Sequence, residues 1–170
     1  NTFPGPVELA VNNANLKPLT DFMPDPSSPG IKGTFRPAEI STADILSGSG
    51  IMKMHHATRD QLLYLNLSGT DTLGNEKRKA VTDFRDLLKS DRSIQAAGII
   101  ETMKDKLTWY SSGQCYNKPW IEMSQAIAVD SLSRIKIIIK NRLLQEEKTR
   151  NIMGYCRGAL KPDSFIIFTA

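Results

Sequence analysis

A chain of 170 residues, 40% hydrophobic and 24% charged, has the make-up of one ordinary globular domain with enough length to bury a core unaided. Its net charge of +4 is a mild basic bias, compatible with a nucleotide or RNA partner and shared by many proteins that have none. No apolar run approaches the ~18 residues of a membrane span, so no segment reads as a transmembrane helix.

The charges are also mixed in sign, as in EKRK followed by DFRD, which is the pattern of solvated helix faces. Cys115 and Cys156 are far apart with no His or Cys at metal-ligand spacing, and read as free thiols of a reducing compartment. The chain starts with Asn, lacks a signal-peptide pattern, and stops soon after its last apolar run. It therefore reads as a fragment of a longer protein.

Residues 1–30 are rich in Pro, Asn and Ser and read as a segment packed on, or leading into, a domain spanning 31–170. Within it, PVELAV fits a short strand or a helical turn. GIKGTFRPAEI alternates around Ile31 and Phe35 and meets Pro37, which predicts a short or edge strand. STADIL offers a Ser/Thr cap before a brief turn, closed by the Gly-Ser-Gly at 48–50. Ile51–His56 alternates with a period of two and predicts a half-buried strand; Gln61–Leu67 predicts a second, antiparallel to it across the turn ATRD.

From Glu76 the period becomes helical, with Asn75 as N-cap, Ala80, Phe84, Leu87 and Leu88 inward, and Ser90-Asp91 as the end. Ser93 would cap a second helix carrying Ile94, Ala97, Ile100 and Met103, its small residues Ala96, Ala97 and Gly98 allowing close approach of a neighbour. LTWYSSGQCYNKP reads as a β-like fragment and loop. Trp120 opens the longest predicted helix, with MSQAIAVDSLSRIKIIIKNRLLQEE as its body, although IKIII has high β-propensity. NIMGYCRGALKPD is irregular, and SFIIFTA is a terminal strand. The sum is an α+β fold, a small, mainly antiparallel sheet packed against a cluster of helices.

No catalytic signature is present: no phosphate-binding Gly-rich loop, no H-E-x-x-H and no G-x-S-x-G. The expectation is a binding or structural module, with no cofactor and no metal. His55 and His56 are adjacent, so on a strand they point to opposite faces and at most one reaches a given pocket. Asp44, Asp60, Asp71 and Glu101 have no spacing that fixes a metal site. Lys79 belongs to a charged run that is ordinarily solvated, but sits beside Ala80 at the predicted helix edge. Trp109, Tyr110, Tyr116 and Trp120 flank a loop, where rings more often pack than stack.

Several segments, taken in order over roughly 33–163, resemble the cap-binding domain of the orthomyxovirus polymerase basic protein 2 subunit, in a divergent form closer to thogotoviruses than to influenza. ADILSGSGIMKMHH is similar to that family's strand-turn-strand ending in a histidine, RKAVTDFRDLLKS to its helix beginning Arg-Lys-Ala, and SIQAAGIIETM to its following helix. NKPW falls where the family has an Asn-Pro turn opening a helix, and NIMGYCRGALKPD resembles its Asn-x-Met-Gly-x-x-Gly stretch.

The resemblance implies a module that holds the 7-methylguanosine cap of host messenger RNA for cap-snatching transcription, without catalysis of its own. Methylated guanine is a flat cation, gripped between two aromatic rings and read by a carboxylate and a lysine. Carried over, His56 or His55 is the stacking ring, Asp60 and Lys79 read guanine, and Asn117 lies near the phosphates. Trp120 takes the place of the family's phosphate-side histidine.

The second ring is missing: Lys104 and Asp105, Leu62 or Leu63, and Gly30 stand where the family has aromatics. A missing ring forfeits ~1–3 kcal/mol, so the implied cap affinity is weak or absent unless Trp109 or Tyr110 substitutes. The implied partners are the other subunits of a polymerase heterotrimer and, weakly, capped RNA, with no membrane; the implied locations are virion and host nucleus. A competent nucleotide site with rearranged aromatics, or a purely structural docking module, are the alternative readings.

Overall fold

A computed structural model describes residues 5–103, 107, 112–113, 115–127 and 132–141. Among these residues the fold is α+β: one mixed sheet of eight strands with helices packed against it. The strands are β1 (Val7–Val11), β2 (Ala14–Leu16), β3 (Phe22–Pro24), β4 (Ile31–Ser41), β5 (Gln61–Asn66), β6 (Gly98–Met103), β7 (Trp120–Ser124) and β8 (Ile135–Ile139). The helices are α1 (Thr42–Ser47), α2 (Ser49–His56) and α3 (Asn75–Ser90). The strand order is β2-β1-β8-β4-β5-β6-β7-β3.

Strand β4 connects two halves of this sheet. Its first five residues pair antiparallel with β8, and from Arg36 onward it pairs in parallel with β5. Pro37, which cannot donate to a ladder, sits just past this change of partner. The hairpin β1–β2 and strand β8 form one antiparallel half, whereas β4, β5, β6 and β7 run parallel, with β3 antiparallel at the far edge.

Both faces of the parallel half are covered, which is why β5, β6 and β7 are apolar along most of their length. Leu63, Leu65, Ile99 and Trp120 face Ile45, Met54, Val81, Phe84 and Leu88 from the three helices. Leu62, Tyr64, Ile100, Ile121 and Met123 face Leu9, Val11, Ile135, Ile137 and Ile139 from the antiparallel half. The antiparallel half thus folds back over the sheet surface opposite the described helices.

The N-terminus of α1 is closely tied. Ser41 caps it, and Asp44 accepts from the Ser41 backbone N–H and hydroxyl at 2.8 and 2.7 Å, completing a capping box. Asp44 also meets Ser49 Oγ at 3.0 Å and Lys53 Nζ at 2.7 Å, so one carboxylate pins α1 to α2. Gly48 joins the two helices at φ 80°, where a side chain would be strained.

Lys53 first, then Ser41, holds the Asp44 carboxyl well below its ordinary value of 3.8. Replacing Asp44 by Ala should cost about 1–2 kcal/mol, because it removes the reciprocal half of the capping box and the link to Lys53. A lowered folded-state pKa stabilises above the unfolded value and ceases to do so as pH falls. The difference between Asp44→Ala and the parent, measured by urea denaturation, should therefore hold at neutral pH and shrink as pH drops below 3.8.

Several sequence expectations are corrected. Ile51–His56 is the body of α2, not a strand, because only Gly50 and Met54, one helical turn apart, turn inward. There is thus no antiparallel pair with Gln61–Leu67; β5 pairs in parallel with β4 and β6. Ile94–Met103 is not a helix: Gly98–Met103 is β6, and Gly98 starts it where a Cβ would stand 3.1 Å from the Pro119 carbonyl oxygen. Trp120 opens a strand rather than a helix, and IKIII follows its own β-propensity as β8.

Helix α3 falls where expected, but its inward face is Val81, Phe84 and Leu88, with Ala80 and Leu87 exposed and Gly74 as N-cap. The predicted short or edge strand around Pro37 is eleven residues long and interior. The expectations for NIMGYCRGALKPD, SFIIFTA and Cys156 lie outside the described residues.

Candidate functional site

The six residues assigned to a cap pocket do not converge. His55 and His56 are exposed in the last turn of α2, about 100° apart around its axis rather than on opposite strand faces. Asp60, exposed in the turn before β5, is held by Thr58 and by an ion pair with Arg36, which together lower its pKa. Asn117 is exposed ahead of β7. These four lie beyond the amino-terminal ends of the parallel strands.

Lys79 lies at the other end of the sheet. It occupies the first half of α3, which starts beyond the carboxyl end of β5, and its Nζ binds Asp83 of the next turn at 2.7 Å. The six residues of β5, roughly 20 Å long, separate that end from Asp60. Trp120 is 1% exposed and packs in the core between sheet and helices, so it presents no surface to a ligand. Trp109, Tyr110, Lys104 and Asp105 lie outside the described residues.

A different constellation occupies the carboxyl ends of β5, β6 and β7, the edge at which open parallel sheets commonly bind ligands. There α3 passes over the sheet and leaves a groove of about 450 Å³. One wall is a stripe of α3: Arg78, Thr82 and Arg85, with Val81 beneath. The other is the connection after β5, from Leu67 through Thr70 to Asp71; Glu101, Thr102 and Gln125 close the end.

The connection is well fixed. Thr70 Oγ1 donates to the Leu67 carbonyl at 2.8 Å, Thr102 Oγ1 bridges the Leu65 carbonyl and the Leu67 N–H, and Arg78 donates to the Asp71 carbonyl.

Behind the groove lies a buried ionic centre. Glu101, 1% exposed, accepts from Arg85 Nη2 and from the Trp120 indole N–H, each at 3.0 Å, while Arg85 Nε stands 2.7 Å from its other oxygen without making a hydrogen bond. Glu122, half-buried, is its in-register neighbour on β7. One turn beyond Arg85, Lys89 holds its ammonium 5.0 Å from the Trp120 ring and 5.5 Å from that of Tyr116, a cation–π arrangement.

Burial raises the pKa of Glu101 against the opposing pull of Arg85. Burial, then the Glu101 charge, raises that of Glu122. Perturbed carboxylates next to a cleft are a mark of functional sites as well as of structural ion pairs.

The site is hidden in the sequence because the period of 93–103 predicts a second helix, whereas Glu101 lies on β6 against Arg85 of α3. Glu101 has no metal-site spacing, yet a lone acid inside the apolar run AAGIIETM is itself a signal, since such a group is buried only with a partner. Among the described residues no group of His, Cys, Asp and Glu could hold a metal ion, Cys115 is an exposed free thiol, and no helix is long and apolar enough to cross a membrane. Comparison with protein-family models, with curated proteins and with solved structures gives no match to this chain.

Proposed function

We propose that this chain is a binding module without chemistry of its own, and that its ligand surface is the groove at the carboxyl ends of β5, β6 and β7. One observation carries this reading. The groove is the place where a parallel-sheet edge, two arginines of one helix face and a buried perturbed carboxylate meet. Of the roles considered from sequence, it is nearest to the docking module. The cap-reading role and the polymerase partners have only the sequence resemblance in their support, and three of the segments behind it, 43–56, 93–103 and 117–120, have conformations other than those it implies.

Two titrations followed by amide NMR test the reading. A fragment library should give hits that shift the amides of Thr70, Thr82 and Thr102. Hits that cluster around His55 and Asp60 instead would overturn it. With 7-methyl-GTP, no saturation is expected at micromolar ligand, and Lys79→Ala should change nothing, because its ammonium is engaged by Asp83 away from the groove. Micromolar saturation lost in Lys79→Ala would restore the cap-binding reading.

A further inference from the structure

Arg85 is the group of the groove with donors to spare. Its side chain is 30% exposed and lines the groove. Among the described residues its guanidinium nevertheless makes a single hydrogen bond, from Nη2 to Glu101. Nε is buried without a hydrogen bond, although the other oxygen of Glu101 stands close by. A guanidinium carries five N–H donors in a fixed fork, so one bond leaves most of it unanswered. Its charge is answered only by the carboxylate of Glu101, the one ion pair it makes among the described residues.

That carboxylate is itself conditional on pH. Arg85 and Lys89 face Glu101 from α3, and the Trp120 indole and Glu122 face it from β7. Its in-register neighbour on β5 is Leu65, which brings no charge, and Asp25, buried after β3, acts on Glu122. Burial works against the Glu101 charge and outweighs the pull of Arg85, so this carboxyl keeps its proton to higher pH than an exposed one. Arg85 cannot shed its charge in answer. Glu122 does not take over, because it makes no hydrogen bond to Arg85 and burial holds it toward its own neutral form.

We infer that a proton on Glu101 switches the groove: the ionised carboxylate keeps Arg85 as an internal partner, and the protonated acid releases Arg85 to bind an oxyanion. This rests on the groove being the ligand surface, and it adds a ligand class and its control by pH. Linkage makes the effect reciprocal, so a bound anion favours the proton on Glu101 and binding takes up a proton.

Amide NMR titration of the full 170-residue chain tests it with sulfate and trifluoroacetate, both fully ionised at pH 4.5 and at pH 7.5. The tighter of the two gives the class of the anion. At pH 4.5, the ordinary carboxyl value, Glu101 is mostly protonated. The anion should there shift the amides of Thr82 and Thr102 in a saturable way, about tenfold more tightly than at pH 7.5, as expected for the gain of one charged hydrogen bond. In the unaltered protein, saturating anion should raise the titration midpoint of the Glu101 carboxyl carbon by about one pH unit.

Glu101→Gln should bind at pH 7.5 as tightly as the parent at pH 4.5 and lose the pH dependence. Arg85→Ala should bind at neither pH, with its fold at pH 4.5 checked by circular dichroism, and Lys79→Ala should match the parent. A pH dependence that persists in Glu101→Gln would belong to another group and overturn the switch, as would a Glu101 midpoint unmoved by anion, which needs no variant to measure. Absence of binding by either anion at pH 4.5 would also overturn it. If library fragments still moved the groove amides, the ligand-surface reading would survive alone; if they did not, both would fall.

Discussion

Trp120→Ala is expected to lower the free energy of unfolding by about 3–5 kcal/mol. The ring is 1% exposed, packs with Leu65, Phe84, Leu88 and Ile99, and supplies the indole donor to Glu101. Truncation opens a cavity and takes one of the hydrogen-bond donors from a buried carboxylate, and the two losses add in one direction. Trp120→Phe fills most of the cavity but omits the donor, so it should cost less, about 1–3 kcal/mol.

Urea denaturation checks both values, and their difference separates packing from hydrogen bonding. A module whose total stability is about 5–15 kcal/mol would be severely weakened by the alanine change. The same experiment decides between two roles for this residue. A tryptophan at the phosphate side of a ligand pocket would lose binding on substitution and leave stability almost untouched. A cost of Trp120→Ala below about 1 kcal/mol, the range of surface changes, would contradict the buried placement.

What could be read from the sequence follows from how many side chains each stretch buries. Helix α3 was legible because Phe84 and Leu88 repeat at its period amid charged residues; its N-cap is one residue earlier than expected, Gly74 rather than Asn75, and its inward face carries Val81 in place of Ala80 and Leu87. The cap of α1 was legible because Ser41 and Asp44 act locally. The α+β class was legible from the switch of period near residue 75.

Alternation over Ile51–His56 misled because six residues with a single large buried side chain, Met54, fit either period. The stripe Ile94, Ala97, Ile100 fitted a helix equally well, yet both faces of β6 are covered, so its run is apolar without alternation and carries no strand signature. The parallel order depends on contacts far apart in sequence, such as Ile99 with Trp120, which no local pattern encodes. The groove was illegible for the same reason: Arg85 and Glu101 meet only when α3 and β6 pack.

Arg85→Ala should be the other costly change, and its cost should depend on pH. The substitution leaves Glu101 buried with, among the described residues, the Trp120 N–H as its direct partner; Lys89 is a more distant charge, and Glu122 beside it is repulsive. Loss of one partner of a buried pair can cost ~3–5 kcal/mol. A ceiling applies here, because Glu101 can take up a proton instead.

At ~1.36 kcal/mol per pH unit, protonating a carboxyl of ordinary value 4.5 at pH 7 costs about 3 kcal/mol, and the loss cannot greatly exceed that. The sign follows from linkage. Glu101 has a folded-state pKa raised above the unfolded one, so its contribution is fully present below 4.5 and is lost as pH rises through the folded value. Removing Arg85 raises the folded value further and extends that loss upward.

The deficit of Arg85→Ala against the parent should thus be small at pH 4 and grow by pH 7 toward, but not beyond, about 3 kcal/mol, because the parent carboxyl is itself raised. Glu122 titrates in both proteins and largely cancels in the difference. Adding Glu101→Gln to Arg85→Ala removes the charge while keeping an oxygen for the Trp120 donor. The double variant should recover most of the neutral-pH loss, with a coupling energy above about 1 kcal/mol. A deficit that stays constant from pH 4 to 8, or a double variant no more stable than Arg85→Ala, would show that Arg85 contributes by packing alone and that the groove has no ionic centre behind it.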